Sequence, residues 1–252
     1  MARQRTPEGP PPPPAVQKLR IRYAKRGRLR FSSTRDFSRA LERALRRAGV
    51  PMAFSAGFHP HPQISYANAA PTGTASEAEY FEIRVTERVD PEAVRAALDE
   101  ALPEGLDVVE VVEAGPGALA DRLEGSDWEL RLRRTAPAEL EPVVAAFLAA
   151  ERAEATRTFK SGPRTFDTRE PVLTMRVSED AGEACAILRM VVRHTTPSVR
   201  PDDILTALHA VTGFAPPEPP LVTRLAQGPL LEAGAGVADP LAADREAVGP
   251  GR

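Results

Sequence analysis

Twice along this chain the same succession of patterned segments recurs: a strand, a helix, further strands, a second helix and a last strand. In the first pass Leu19, Ile21 and Tyr23 alternate and Leu29 and Phe31 resume the pattern, so residues 18–32 read as a strand broken near Lys25-Arg26-Gly27. A helix over 36–48 follows, because Phe37, Ala40, Leu41, Ala44, Leu45 and Ala48 fall at the spacing that makes one apolar face. Ser33 is placed to cap it, Asp36 makes its first turn acidic, and Gly49 is placed to end it in a left-handed conformation. Short strands at 51–55 and 64–68, a strand at 79–86, a helix opened by Asp90-Pro91 and a strand at 108–112 complete the pass.

The second pass starts with Trp128, Leu130 and Leu132 alternating as a strand. A helix over 137–150, a short extended piece at 156–160 and a strand pair at 172–177 and 185–192 follow. Ile204, Leu205, Leu208 and Val211 give the helix over 201–211 its apolar face, and 221–225 is the last strand. This order is that of a split βαβ sandwich, so the expected fold is α+β, a tandem of two ferredoxin-like units over 18–112 and 127–226. The Gly-, Ala- and Asp-containing stretch 113–126 reads as the linker. Residues 1–17, with their proline run, and residues 227–252 read as disordered tails.

Composition enters mainly through what it excludes. Cys185 is the only cysteine in 252 residues, so the chain makes no internal disulfide and no cysteine-based zinc or iron-sulfur site, which fits a reducing cytoplasm. Its surroundings, ACAILRMVV, make it a core residue. No apolar run approaches the ~20 residues that span a bilayer. The basic start leads into PEGPPPPP rather than an apolar signal core, and a cytoplasmic protein without a membrane partner is expected. GxSxG, GxxxxGKS and GxGxxG patterns are missing, so the common hydrolase and dinucleotide readings lack support.

Charge is unevenly distributed. From Lys18 to Arg47 there are twelve Lys or Arg against Asp36 and Glu42, in a chain of net charge -2. Arg35, Arg39, Arg43, Arg46 and Arg47 lie off the apolar face of the first helix and form a candidate surface for phosphates or an acidic partner; a merely solvated face is the alternative. FKSGPRTFDTRE adds Lys160, Arg164 and Arg169 in the second unit. His194 and Arg200 lie near a helix start, where backbone N–H groups favour anions, although a solvated loop capped by Asp202 or Asp203 is equally compatible.

His59 and His61, in GFHPHP, are the candidate catalytic residues, since two imidazoles two residues apart on an extended loop are able to act as acid and base. Polar recognition and plain loop structure stay open beside that role. Two imidazoles without further ligands make an incomplete metal site, and neither a metal nor a cofactor is expected. Ser65, Tyr66, Asn68, Thr72, Thr74, Ser76 and Glu77 form a polar continuation that either lines a pocket with the histidine loop or serves turns around Pro71 and Gly73.

The run KRGRLRFSSTRDFSRALERALRRAGVPMAFSAGFHPHPQISYANAAPTGTASEAEYFEI resembles the radical-SAM-linked, or radical-SAM-associated, protein family, whose biochemical role is unassigned. The likeness is specific over about 18–112 and extends through about 226. Members occur fused behind a radical SAM domain or as free-standing chains, and this chain resembles the second kind. It cannot be the radical enzyme, whose cluster needs three thiolates. Where many members carry a Ser-His pair before the helix aspartate, this chain reads Ser33-Thr34, which weakens a catalytic histidine there. The resemblance implies a separate radical SAM protein as partner. Together with the basic helix, and with a fold-level likeness to RNA-processing proteins of the repeat-associated class, it gives the expected function. That function is a non-catalytic accessory protein that binds RNA and presents it to the radical SAM enzyme. The alternatives are a metal-independent RNA-processing enzyme using His59 and His61, and an adaptor that docks on an acidic protein.

Overall fold

The computed structural model describes residues 12–180 and 185–247, which divide into two compact units. The first is built from β1 (Gln17–Lys25), α1 (Thr34–Arg47), β2 (Ile64–Ala67), β3 (Ala75–Val85), α2 (Pro91–Ala101) and β4 (Leu106–Glu113). Its strands lie in the order β4-β1-β3-β2, and both helices pack on one face of them. Alternation in β1 puts Leu19, Ile21 and Tyr23 on that face, where they meet Phe37, Leu41 and Leu45 of α1 and Val94 and Leu98 of α2. Each such side chain contributes about 1.5–3 kcal/mol by leaving water. The Tyr23 and Phe37 rings stack at 4.2 Å between centroids, which fixes the start of α1 over β1.

The second unit repeats the plan with β5 (Gly125–Arg133), α3 (Pro137–Ala149), β6 (Glu154–Phe159), β7 (Gly162–Asp167), β8 (Val172–Glu179), β9 (Cys185–Arg193), α4 (Pro201–Thr212) and β10 (Leu221–Gly228). The order β10-β5-β9-β8 is all antiparallel and matches the first unit strand for strand. Trp128, Leu130 and Leu132 meet Leu140, Val144 and Phe147 of α3 and Ile204 and Leu208 of α4 in its core, and Cys185 is buried. The fold is thus α+β, with two ferredoxin-like units.

Several local expectations are corrected. The first strand ends at Lys25; Gly27, at φ 52, turns the chain into a 3-10 helix over Gly27–Phe31 rather than back into a ladder. Residues 51–55 make only isolated bridges, Met52 to Val85 and Phe54 to Pro62, since Pro51 and Pro62 have no N–H to donate. The extended piece at 156–160 is one arm of a hairpin, β6 with β7. β3 begins at Ala75, four residues ahead of the expected 79, because Ala75 and Ser76 pair with Thr223 and Arg224 of β10 in parallel.

Unit boundaries differ from the serial division into 18–112 and 127–226. Residues 74–77 count with the second unit and residues 241–247 with the first. The stretch read as a linker carries a 3-10 turn, Leu119–Arg122, whose Leu119 is buried. The tail expected from 227 is ordered through 247: β10 runs to Gly228, Leu230 bridges Val237, a 3-10 turn occupies Glu232–Gly234, and α5 (Ala242–Ala247) follows. Leu241 and Asp244 have no exposed surface, and two such anchors suffice to hold a segment whose average composition is polar and small. The disorder expected for residues 1–17 and 248–252 falls mostly outside the described residues, which start at 12 in irregular backbone and enter β1 at Gln17. No helix among the described residues is long and apolar enough to cross a membrane.

Candidate nucleic-acid interface

The capping chemistry of α1 sets the site. Ser33 Oγ accepts from the Asp36 N–H at 3.2 Å while the Asp36 carboxylate accepts from the Ser33 N–H at 3.2 Å, a reciprocal capping box. The Ser33 hydroxyl also donates to that carboxylate at 2.6 Å. These bonds from Ser33, with smaller contributions from Arg39 and Arg35, hold the Asp36 carboxyl below its usual range. At the other end Gly49, at φ 65, takes the chain out of the helix as expected.

Between these ends all five arginines named from the sequence are exposed. With about 100° per residue, Arg35, Arg46, Arg39 and Arg43 fall within an arc of roughly 80°, and successive members at i, i+4 are about 6 Å apart along the axis. Among the described residues none of these four makes an ion pair with a carboxylate. Arg46 Nε donates to the Glu42 carbonyl at 3.2 Å. Arg47 lies off the stripe and gives its guanidinium to the Ala101 carbonyl at 2.6 Å, at the end of α2.

Exposed aromatic residues precede and follow α1 in the chain. Phe31 is 59% exposed, with the Arg30 guanidinium 4.6 Å from its ring centre, and Phe54 and Phe58 are 42% and 61% exposed in the loop that carries the histidines. That loop is pinned at its base: the Ser55 N–H donates to the His61 carbonyl at 2.9 Å, and Ser55 Oγ accepts from the His61 N–H at 3.0 Å. His59 and His61 are both exposed, and neither ring makes a hydrogen bond among the described residues. No group of three potential metal ligands occurs among those residues.

The polar continuation after the loop does not gather around the histidines. Tyr66 instead donates to Ser38 Oγ of α1 at 3.0 Å and lines a small pocket with Tyr23, Phe37 and Tyr80 at the capped start of α1. Thr74 and Ser76 are buried in the second unit. The pocket also brings in two buried charged residues that sequence reasoning passed over, Lys25 and Glu79. Lys25 Nζ donates to the Ala70 and Pro71 carbonyls at 3.4 and 3.3 Å, and Glu79 accepts from the Ala70 N–H at 3.0 Å. Neither stood out in the sequence, because β1 also carries Lys18, Arg20 and Arg22 and β3 also carries Glu77, Glu82 and Arg84.

In the second unit Lys160 and Arg164 are exposed around the β6–β7 turn, and the Arg157 guanidinium lies 4.7 Å from the Phe159 ring centre. Arg157 also pairs with Asp203 at 2.5 Å. Arg169 is otherwise employed: it donates to the Leu148 carbonyl at 3.1 Å and the Val172 carbonyl at 2.9 Å, closing the end of α3. The start of α4 is closed by Asp203, whose carboxylate accepts from the Arg200 N–H at 2.8 Å. His194 lies away from that helix start, between the Leu123 carbonyl (Nδ1, 2.6 Å) and Ser126 Oγ (Nε2, 2.8 Å). A carbonyl only accepts, so Nδ1 carries the proton and Nε2 receives the serine hydroxyl. Burial, and to a smaller degree the nearby Arg224 charge, hold this imidazole below its ordinary value.

Fold and surface together define an α+β protein of two ferredoxin-like units with a basic helix face. The chain belongs to a family described as an uncharacterized protein conserved in bacteria (DUF2344), which it matches over residues 18–201. No curated protein matches it. Among solved structures it is similar to a chain of a Cbf5-Nop10-Gar1 complex, at 10% identity and a TM-score of 0.43, with 89% of this chain and 55% of that chain covered. It also matches an encapsulated DyP-type peroxidase from Mycobacterium smegmatis at 11% identity and a TM-score of 0.19, covering 85% and 92% of the two chains. Likeness at this level carries nothing about function.

Proposed function

We propose that this chain binds single-stranded RNA along the arginine stripe of α1 and serves as an accessory protein that presents it to a separate radical SAM protein. The observation that supports RNA is the stripe itself: four exposed guanidiniums on one arc, without carboxylate partners, with exposed Phe31 and Phe58 in the segments before and after the helix and Phe54 beside Arg46. Cationic tracks with neighbouring aromatic rings suit single strands, whose phosphates follow the charges while unstacked bases lie on the rings. A helix meant only for solubility gains more from alternating charge than from four like charges in a row. The radical SAM partner rests on the sequence resemblance of residues 25–83. Lys160 and Arg164 form a second, smaller basic place in their own unit.

The test is Arg39→Glu with Arg43→Glu and Arg46→Glu. None of the three lies on the buried face of α1, so folding should be retained, each change costing about 0.5 kcal/mol or less. In the parent, log K against log salt should have a slope of roughly -2 to -3, for three to four phosphates at about -0.7 each. The triple variant should lose RNA binding and that slope. Unchanged affinity and slope in a folded variant would move RNA off this face and favour docking on an acidic protein.

A further inference from the structure

Beside the stripe lies a second feature that RNA binding alone does not require. Leu45 on α1 and Met52, Phe54 and Pro62 from the following loop wall an open groove of about 330 Å³, mouth included, with Glu42 and Arg46 also lining it. Its surface is mostly carbon. Gly49 takes the chain out of α1, and the bridge from Phe54 to Pro62 holds the loop as the facing wall. The Gln63 side chain donates to the Phe54 carbonyl at 3.0 Å, so the Phe54 backbone is held from two directions although the residue is 42% exposed. A half-bare ring on a pinned backbone is preorganised to receive a flat partner, because little ordering remains to be done on binding.

We infer that this groove receives one unstacked nucleobase of the RNA strand, stacked on Phe54, while the phosphate next to it pairs with Arg46. The inference rests on the RNA reading above and deepens it. Charge complementarity selects this occupant. Arg46 belongs both to the stripe and to the groove, so a strand whose phosphates follow Arg39, Arg43 and Arg46 passes the groove mouth with a base free to turn inward. Glu42 supplies a carboxylate at the same site, matched to the exocyclic amine of a base such as cytosine. An apolar peptide side chain would use the carbon walls but leave Arg46, whose hydrogen bond goes to the neutral Glu42 carbonyl, without an anionic partner.

The experiment compares a single-stranded cytidine oligonucleotide with an abasic oligonucleotide of the same length on the full chain. The parent should prefer the base-bearing strand. Phe54→Ala should weaken that strand by roughly 5- to 150-fold, the range for one stacked base, and leave the abasic strand unchanged. Phe54→Tyr, which keeps a ring at the same place, should retain parent affinity and shows that the alanine result is not a folding effect. If the parent binds RNA but Phe54→Ala binds the cytidine strand as tightly, the groove assignment is overturned and RNA binding by the stripe survives. If the parent binds neither strand, both readings fall.

Discussion

At the scale of single residues the least expected feature is Arg20, a charged side chain with no exposed surface in the middle of β1. Its guanidinium donates to Asp244 at 2.6 Å, to Glu82 at 2.9 Å and to the Gly117 carbonyl at 2.6 Å, and Asp244 in turn accepts from the Gly115 N–H at 2.8 Å. Removing one member of a buried pair leaves the other unneutralised in a poor solvent for charge. Asp244→Ala should therefore cost about 3 kcal/mol in denaturant unfolding, the low end of the usual range because Glu82 remains. Arg20→Met combined with Asp244→Leu should recover much of that loss, since apolar packing replaces the desolvated pair. His194 gives a pH signature instead. Its folded-state value is depressed, so its contribution to stability is present above the unfolded value near 6.5 and is lost as pH falls through the folded value. Stability measured from pH 7.5 to 5 should decline in the parent, and less steeply in His194→Gln. Equal slopes would mean that the ring titrates alike in both states.

At the scale of elements α1 was readable because everything that makes it is local: a 3.6-residue apolar period, Ser33 and Asp36 at the start, Gly49 at the end. Ser33→Ala should cost about 1 kcal/mol by removing the side chain that accepts the Asp36 N–H. Thermal unfolding checks this, and a loss within a few tenths would assign the capping to Asp36 alone. The arginine stripe was readable for the same reason. The groove was not, because its walls come from residues on either side of the turn at Gly49 and meet only once the loop has folded. The β6–β7 hairpin was half-visible: Thr156 to Phe159 reads as extended, but its partner strand begins at Gly162 and Pro163, a pair that normally marks a break. α5 was invisible to any local argument, since Asp244 is fixed by an arginine 224 residues away.

At the scale of the whole molecule the tandem was legible because alternation and helical period each survive in short windows, and the order of six such windows occurs twice. What a window cannot carry is an exchange of segments. Residues 74–77 lie in sequence within the first unit but count with the second, Ala75 and Ser76 pairing with β10, and residues 241–247 return to the first unit after the second is complete. That return has a consequence for the order in which the protein can be finished. A ribosome emits β1 early, with Arg20 already on it, and the carboxylate that neutralises it only after residue 240. The first unit to emerge is then the last to be completed, and until Asp244 appears the nascent chain holds a cation in its sheet with half its counter-charge missing. Chaperone engagement in the living cell is therefore expected to persist on this protein through nearly the whole of its synthesis.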